Sequence, residues 1–399
     1  MIRHLLKLVW NRKRANALII GEILLSFLVL FAVLTSVVSF ASGWGRPVGF
    51  DRANVWVLQM DFDFMASEKG DPKLRATFER VLRETASLPQ VEAAGGSNTP
   101  PYSFSTNSGS RTIDGKEVYL MYDDVTDGFA KAMGLQPIRG RWFNAEDDGT
   151  AYQPVVLDAN AARAAYGDAD PIGKTIAGDE KSGEKAMRVV GVVPEYRKDG
   201  ESMSRGNMVF RRVAPNGAYG VVPRNLMVRV RPGTSAAFEE TLLDRVQRVA
   251  PEMSFNLDNL ERMRRSAHRF VLAPVIIGGI IALFLISMVA LGLTGVLWQN
   301  VTKRTRELGL RRAMGASGST VRRQILAEVG LLATIALAIG LLLVLQLPVV
   351  GIFTVFPPSA FVAGIVVSLA TVYALTLLCG LYPSWFASRL QPADALRYE

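Results

Sequence analysis

The chain has 399 residues, of which 49% are hydrophobic and 20% are charged, and its formal net charge is +9. One cysteine excludes an intramolecular disulfide. The two histidines, His4 and His268, both lie next to apolar blocks, so we expect neither a histidine-based metal site nor a Ser/His/Asp triad. The hydrophobic residues are concentrated in four long blocks, which indicates a membrane protein. The positive charge then follows membrane topology, and we do not expect a nucleic-acid partner.

Residues 1–16 form a basic arm, and residues 17–41 form the first apolar block. Its end, Ser39-Phe40-Ala41, resembles a signal-peptide cleavage site. The block is longer than the roughly 7–15 apolar residues of a signal peptide, so we predict an uncleaved transmembrane helix with a cytosolic N-terminus. Glu22, near hydrocarbon, is either a functional residue or a group that reaches the interface to pair with a basic side chain.

Residues 42–270 form the largest polar region, and helical and strand patterns alternate along it. Val55 and Val57 lie on one face of a strand, and Leu74, Phe78 and Val81 have helical spacing. We predict an α+β domain with two subdomains. The predicted strands are Asn54–Phe64, Glu117–Tyr122, Pro154–Leu157, Met187–Val193, Met208–Val213 and Asn225–Val230. The predicted helices are Leu74–Ser87, Val125–Met133, Ala159–Tyr166 and Ser235–Val249.

A glycine-containing loop, Gly167 to Thr175, has a superficial likeness to a phosphate-binding loop. Walker A has four residues between its glycines, whereas this loop has five between Gly167 and Gly173. Pro171 also removes a backbone N–H from the expected cradle. The pattern favours a turn that leads into a strand.

The second apolar block, residues 271–298, is preceded by four arginines: Arg262, Arg264, Arg265 and Arg269. They are either a solvated helix end or a contact for outer-leaflet lipid headgroups or a partner. Within the block, Gly292 and Gly295 with Ala290 and Thr294 form a small-residue face suited to helix packing.

The rest of the chain consists of a basic loop (299–324), a third span (325–347), an uncharged loop (348–360), a fourth span (361–383) and a tail (384–399). Residues 42–270 contain 31 basic and 31 acidic residues, so the whole positive excess lies outside that domain. By the positive-inside rule, both termini and the basic loop face the cytosol and the domain is external.

Two stretches carry a family resemblance. The basic loop reads Arg304-Thr-Arg-Glu307-Leu-Gly309-Leu-Arg311-Arg312-Ala-Met-Gly315-Ala-Ser317, and the C-terminus reads Tyr382-Pro383-Ser-Trp-Phe-Ala387-Ser-Arg389-Leu-Gln-Pro392-Ala-Asp-Ala395-Leu396-Arg397. Both resemble the MacB/FtsX family of ABC transporter permeases, also called type VII. In the external region, Gly140-Arg141-Trp142-Phe143 and Val189-Val190-Gly191-Val192-Val193 resemble the periplasmic core domain of the MacB branch.

The resemblance implies an α-helical membrane protein with four transmembrane helices, a large α+β extracytoplasmic domain between helices 1 and 2, and a dimer served by a cytosolic ABC ATPase. In MacB the ATPase is fused to the N-terminus, but no Walker A motif is found here. We therefore expect a non-catalytic subunit without its own cofactor, with ATP and Mg²⁺ bound by a separate ATPase. The expected ATPase-coupling residues are Arg304, Arg306, Glu307, Gly309, Arg311, Arg312 and Gly315. The C-terminal motif residues are Tyr382, Pro383, Arg389, Pro392 and Leu396.

The function expected from this resemblance is mechanotransmission in a bacterial inner membrane. ATP hydrolysis in the cytosol would move the periplasmic domain and drive export, with a periplasmic adaptor and an outer-membrane channel as further partners. Lipoprotein extraction as in LolC/LolE, regulation of cell-wall hydrolases as in FtsX, and a membrane sensor stay open as alternatives. The sequence leaves homodimer and heterodimer equally open.

Overall fold

The computed structural model describes residues 13–63, 71–178, 185–201, 206–214, 221–303, 317–352 and 356–389. Its helices, in chain order, are α1 (Lys13–Gly43), α2 (Pro72–Ala86), α3 (Phe129–Met133), α4 (Ala159–Tyr166), α5 (Ala237–Val249), α6 (Leu260–Lys303), α7 (Gly318–Gln346) and α8 (Pro358–Arg389). Among the described residues, four helices are long and apolar enough to cross a membrane: α1, α6, α7 and α8. The chain divides into a membrane unit (Met1–Ser42 with Val271–Glu399) and an inserted domain (Gly43–Phe270).

The fold class expected from the sequence is confirmed, since a mixed α/β domain lies between the first and second apolar helices. The second of these helices begins well before its apolar run. Asn259 explains the early start: its side-chain oxygen accepts the Arg262 N–H at 2.7 Å, which satisfies one of the free N–H groups at a helix N-terminus. The four arginines that precede the apolar run are therefore helical.

The membrane unit is packed through glycines that face α1. A Cβ at Gly340 of α7 would lie 2.5 Å from Phe27, and one at Gly278 of α6 would lie 2.9 Å from Val33. A Cβ at Gly364 of α8 would overlap Thr35. In lipid, close backbone approach at small residues is a main source of helix association. Helix α1 is thus a central packing element of this unit.

The strands of the inserted domain belong to one sheet. In chain order they are β1 (Val55–Asp61), β2 (Val91–Ser97), β3 (Asn107–Ile113), β4 (Lys116–Val125), β5 (Arg139–Gly140), β6 (Gln153–Asp158), β7 (Thr175–Ile176), β8 (Met187–Val193), β9 (Met208–Arg212), β10 (Asn225–Val230) and β11 (Ser254–Asn259). The spatial order is β11-β1-β10-β2-β4-β9-β6-β8-β5, with β3 paired to β4 and β7 paired to β8. The pairs β4/β9 and β6/β8 are parallel, and the other pairs are antiparallel.

Alternate residues of the strands supply different hydrophobic clusters on the two faces of this sheet. Val57 of β1 and Val156 of β6 belong to one cluster, with α3. Leu58 of β1 belongs to a second cluster, under α2 and α5, and Val155 and Leu157 of β6 belong to a third, under α4. The period of two is that of a strand with both faces buried.

Some of the sequence-based assignments need correction. The helix predicted for Val125–Met133 begins only at Phe129, because Val125 ends strand β4 and Gly128 caps the helix. Strands β2, β3, β5 and β11 were not predicted. In β2, Gly95 and Gly96 are poor strand formers. Both glycines are required by close packing: a Cβ on Gly95 would overlap the Gly128–Phe129 backbone, and one on Gly96 would lie 2.7 Å from Phe78.

Candidate coupling site

The residues expected to couple to the ATPase lie outside the described part of the chain. These are Arg304, Arg306, Glu307, Gly309, Arg311, Arg312 and Gly315. Pro392 and Leu396 of the C-terminal motif also lie outside it. The structure does describe the helices on either side of the basic loop. Helix α6 ends at Lys303, and α7 begins after Ser317, whose hydroxyl accepts the Thr320 N–H at 3.3 Å as an N-cap. The prediction that this loop contacts the ATPase stays a prediction.

Three members of the C-terminal motif lie in α8. Pro383 is within the helix and Arg389 is its last residue. Tyr382 lies between two tryptophans: its ring stacks on Trp298 of α6 at 6.3 Å and on Trp385 at 6.5 Å between centroids. Trp298 was not among the residues predicted from the sequence, although tryptophan and tyrosine near span ends are typical of membrane interfaces.

Glu22 has a defined neighbour in the membrane unit. A Cβ at Gly292 of α6 would lie 2.8 Å from Glu22 Oε2, so the missing side chain leaves room for this carboxylate. One end of the predicted small-residue face therefore packs against α1 of the same chain. Gly295, the other glycine of that face, has open space at its Cβ position.

A cluster of charged groups around Glu201 links two parts of the inserted domain that lead to membrane helices. Arg264 Nε donates to Glu201 Oε1 at 3.1 Å, His268 Nε2 lies 3.3 Å from Oε2, and Arg52 Nη1 donates to Oε1. The Glu201 side chain is 7% exposed. Arg52 follows α1 by nine residues, whereas Arg264 and His268 lie on the first turns of α6. We call Glu201, Arg52, Arg264 and His268 the Glu201 cluster.

The backbone beside the cluster is packed too closely for side chains. A Cβ at Gly43 would overlap the Glu201 carbonyl oxygen, and one at Gly49 (φ +85°) would overlap that of Glu195. Arg197 closes the contact, since its Nη1 donates to Gly43 O at 3.3 Å and its Nη2 donates to Glu201 O at 3.1 Å. The chain that leaves α1 is therefore held against residues 195–201.

A second connection joins the same two segments through the backbone. Strand β1, which follows α1, pairs antiparallel with β11, which leads into α6; the register places Val57 opposite Asp258 and Trp56 opposite Asn259. Main-chain ladders and charged side chains thus connect the segments next to the first two membrane helices. Hydrogen bonds between ionised groups are roughly twice as strong as neutral ones.

The electrostatics keep Glu201 ionised. Burial opposes the charged carboxylate, but a backbone hydrogen bond and the charges of Arg264 and Arg52 outweigh it and lower the Glu201 pKa. The pKa of Arg264 is raised, since partial burial is outweighed by Glu201 and Glu261. Burial and the Glu201 charge raise the pKa of the nearby Tyr102 to about 12. At neutral pH the cluster therefore contains a carboxylate between cationic side chains.

Sequence reasoning missed Glu201 and Arg52, because neither lies in a motif and 149 residues separate them. A usable signal was the spacing of Arg264 and His268, which are four apart and share a helix face. Arg262 has a different role, since it pairs with Asp258 at 3.3 Å.

The loop from Gly167 to Thr175 is a turn, as the sequence favoured. It leads into the short strand β7, and the Asp170 carboxylate accepts the Ile172 N–H at 3.2 Å. The Lys174 side chain contacts other residues of the domain: its Nζ lies 5.2 Å from the Tyr166 ring centroid and 3.8 Å from Asp114. Within the described ranges, no group of three or more His, Cys, Asp and Glu side chains is placed to hold a metal ion.

Two family models match the chain. The MacB-like periplasmic core domain matches residues 23–248, and the FtsX-like permease C-terminal domain matches residues 279–392. Curated relatives include macrolide export ATP-binding/permease proteins MacB of Bordetella avium (25% identical, 94% of this chain) and Bdellovibrio bacteriovorus (26%, 80% of this chain). The chain spans 57% and 50% of the length of these two relatives.

A further relative is the probable syringafactin export ATP-binding/permease protein SyfD of Pseudomonas syringae, which is 26% identical over 94% of this chain and 56% of the relative. Similar solved structures include the periplasmic region of MacB from Actinobacillus actinomycetemcomitans, which has a TM-score of 0.38 and 15% identity over 57% of this chain and 98% of that one. With a MacB-like core domain before an FtsX-like C-terminal domain and four apolar helices, the chain belongs to the MacB/FtsX-like family of ABC transporter permeases and is a multi-pass membrane protein.

Proposed function

We propose that this permease is the non-catalytic membrane subunit of an export complex and transmits ATP-driven movement to its inserted domain. The observation that carries the proposal is the Glu201 cluster. It bonds the segment that follows α1 to the first turns of α6, beside the β1/β11 ladder. A change in the spacing of these two helices would then be passed to the whole sheet.

The proposed partners follow from the family and the charge distribution. A separate cytosolic ATPase binds ATP and Mg²⁺ and contacts the basic loop 299–324, and a second permease protomer completes the dimer. Both termini are cytosolic, and the inserted domain lies outside a bacterial inner membrane. The names of curated relatives refer to export of a macrolide or of syringafactin, which supports export as the class of activity. A periplasmic adaptor and an outer-membrane channel complete the proposed route.

A variant of the Glu201 cluster tests whether ATP hydrolysis can be separated from movement of the inserted domain. The permease and its ATPase are reconstituted in a Cys379→Ala background, and nitroxides are attached through Ser110→Cys, an exposed position on β3. Pulsed electron paramagnetic resonance then measures the distance between the two labels of a dimer with and without ATP. We expect an ATP-dependent change in the parent protein.

Glu201→Gln removes the charge of the cluster while keeping the volume of the side chain. Since hydrogen bonds to charged groups contribute about 1.5–3 kcal/mol each, we expect the ATP-dependent distance change to be lost while hydrolysis continues. The matched control is Glu84→Gln, because Glu84 also accepts from an arginine, Arg245, but does so on the exposed faces of α2 and α5.

Each result decides a different point. A parent protein whose labels stay at one distance through the ATP cycle contradicts mechanotransmission and favours the sensor alternative. A distance change that persists in Glu201→Gln assigns the coupling to the β1/β11 ladder and removes the Glu201 cluster from the proposal.

A further inference from the structure

A second group of side chains lies beside the Glu201 cluster and contacts it through the Trp44 ring, whose centroid is 5.7 Å from that of His268. It consists of Trp44, Arg46, Arg265, Arg269 and Phe270, all exposed, and we call it the juxtamembrane basic surface. Trp44 is 55% exposed and Phe270 is 70% exposed. Within the described ranges, the side chains of the three arginines make neither an ion pair nor a hydrogen bond. The surface therefore combines cations without a partner and exposed aromatic rings.

The geometry of α6 separates Arg265 and Arg269 from the Glu201 cluster. Arg264 and His268 are four residues apart and share the face that contacts Glu201. Arg265 and Arg269 have the same spacing but lie about 100° further round the helix. They point to a different side, so the Glu201 charge does not account for them.

Arg46 lies at a cavity beside the cluster. The cavity has a volume of about 620 Å³ and is lined mainly by the segment from Trp44 to Arg52, with Glu201 and Arg264. Most of the charges here are compensated: Arg52 and Arg264 by Glu201 together with Glu261, which lies 3.0 Å from Arg264, and Asp51 by Arg229 at 3.0 Å. Arg46 is the remaining cation, so the cavity has an excess of positive charge.

The position of the surface along the chain indicates its partner. Trp44 directly follows Gly43, the last residue of α1, and Phe270 directly precedes the apolar run 271–298. Residues at both span ends are close to the lipid headgroups, where tryptophan is enriched and arginine interacts with phosphate. We infer that the juxtamembrane basic surface binds the phosphate of anionic phospholipids in the leaflet next to the inserted domain.

A net-negative headgroup fits this surface better than a zwitterionic one. Phosphatidylglycerol presents an uncompensated phosphate to Arg46, Arg265 and Arg269, whereas the choline of phosphatidylcholine brings a positive charge to the same place. A basic residue near a charged membrane contributes about 1 kcal/mol, which is about fivefold in affinity. Three such residues give a large preference for phosphatidylglycerol over phosphatidylcholine. The rings of Trp44 and Phe270 hold the arginines at the depth of the headgroups.

The test must report on this leaflet alone, because the cytosolic loop 299–324 is also basic. A fluorescent bimane is attached through Ser266→Cys in a Cys379→Ala full-length chain, since Ser266 is exposed and next to Arg265. The protein is reconstituted in phosphatidylcholine vesicles that contain a small fraction of 5-doxyl phosphatidylglycerol or 5-doxyl phosphatidylcholine. We expect several-fold stronger quenching by the phosphatidylglycerol probe.

The variant Arg46→Gln/Arg265→Gln/Arg269→Gln should bring the two probes to equal quenching, and the corresponding lysine variant should keep the preference. The control Lys73→Gln/Arg163→Gln/Arg231→Gln removes the same charge from exposed positions of α2, α4 and the end of β10, and should keep it as well. Equal folding of the variants is checked by gel filtration and thermal unfolding.

Three outcomes overturn the assignment. The first is equal quenching by both probes in the parent chain, and the second is an unchanged preference in the triple glutamine variant. The third concerns a free anion: glycerol phosphate that abolishes the preference, when sodium chloride of the same ionic strength does not, would assign the surface to a soluble phosphorylated ligand.

Discussion

The two units of this protein use polar groups in opposite ways. In the inserted domain, buried charges bond to residues far away in sequence: Arg212 is fully buried and bonds to Asp127 at 2.7 Å and to Asp148 at 2.8 Å. In the membrane unit, most hydroxyls bond to their own helix, as Ser36 does to Ala32 O at 2.8 Å and Thr294 to Ala290 O at 2.7 Å, while Thr334 also reaches the Tyr373 hydroxyl of α8 at 2.9 Å. Long-range polar bonds thus shape the domain, whereas the hydroxyls of the spans mainly satisfy backbone carbonyls of their own helix.

Glycines show the same contrast. In the inserted domain several of them bring backbone against backbone, as Gly95 does at Phe129 and Gly43 at Glu201, although Gly96 meets the Phe78 ring. In the membrane unit they meet side chains, those of α1 at Gly364 and Gly340 and that of Leu326 in α7 at Gly380. Since lipid tails are as apolar as leucine, helix association in the membrane depends on shape more than on hydrophobicity. We therefore expect charge changes to weaken the domain most and volume changes to weaken the membrane unit most.

The largest expected effect is the loss of the carboxylates around Arg212. Asp127→Ala with Asp148→Ala leaves a buried guanidinium without these two partners, which costs about 3–5 kcal/mol of unfolding free energy. Arg212→Met removes the charge and keeps most of the volume, and its cost should be smaller. The measurement is guanidinium chloride unfolding of the full-length protein in detergent, followed by tryptophan fluorescence. A double variant as stable as Arg212→Met would show that charge pairing does not control this domain.

A smaller effect is expected from a single methyl group in the membrane unit. In Gly364→Ala the new Cβ overlaps Thr35, so α8 and α1 must separate, at a cost of about 1–3 kcal/mol. Gly295→Ala is the control: its Cβ meets open space, and alanine is a better helix former by about 1 kcal/mol. Thermal unfolding in detergent should show opposite shifts. Equal shifts in both variants would mean that helix propensity, and not close packing, decides stability here.

The sequence predicted the membrane unit and the class of the domain, because both follow from patterns that are local. Apolar runs define spans, and strands such as Met187–Val193 and Asn225–Val230 were predicted with the bounds that the structure shows. Strands β2, β3, β5 and β11 were missed. In β2, Gly95 is required by a tertiary contact with the Gly128–Phe129 backbone, which no local pattern reveals.

The candidate site was less predictable for a related reason. Arg264 was selected as part of a basic helix end, but its partner Glu201 is 63 residues away and lies in no motif. The buried pair of Arg212 with Asp127 has a similar separation of 85 residues. Ion pairs of this kind form only after the sheet brings the segments together, so their residues look like ordinary surface charges in the sequence.

The smallest expected effect is a dependence of unfolding free energy on pH, because the inserted domain contains a buried carboxyl with a raised pKa. Asp158 caps α4: its Oδ1 accepts the N–H of Ala161 at 2.8 Å and that of Met208 at 3.0 Å, and its Oδ2 accepts that of Tyr196 at 3.3 Å. Burial outweighs these three bonds and raises the Asp158 pKa to about 7. In the unfolded chain an aspartate titrates near pH 3.9.

The sign of the effect follows from these two values. The folded state holds the Asp158 proton more tightly, so its contribution to stability is present at low pH and is lost as the pH rises through about 7. Between pH 8 and pH 6 the free energy of unfolding should therefore increase by about 1.4 kcal/mol. Asp123, whose pKa burial raises to about 6, adds a smaller increase in the same direction. The lowered pKa of Glu201 acts only in a more acidic range.

Asp158→Asn isolates the contribution of this carboxyl. The amide cannot titrate, and its NH₂ group cannot accept the Tyr196 N–H, so absolute stability falls while most of the dependence between pH 8 and pH 6 disappears. The readout is the slope of the unfolding midpoint against pH, which a general loss of stability leaves unchanged. Asp123→Asn should flatten the slope only slightly, and Gly364→Ala should leave it as steep as in the parent, because that change lies in the membrane unit. A parent protein that becomes less stable as the pH is lowered from 8 to 6 would contradict the raised pKa of Asp158, since burial would then not govern the proton affinity of this carboxyl.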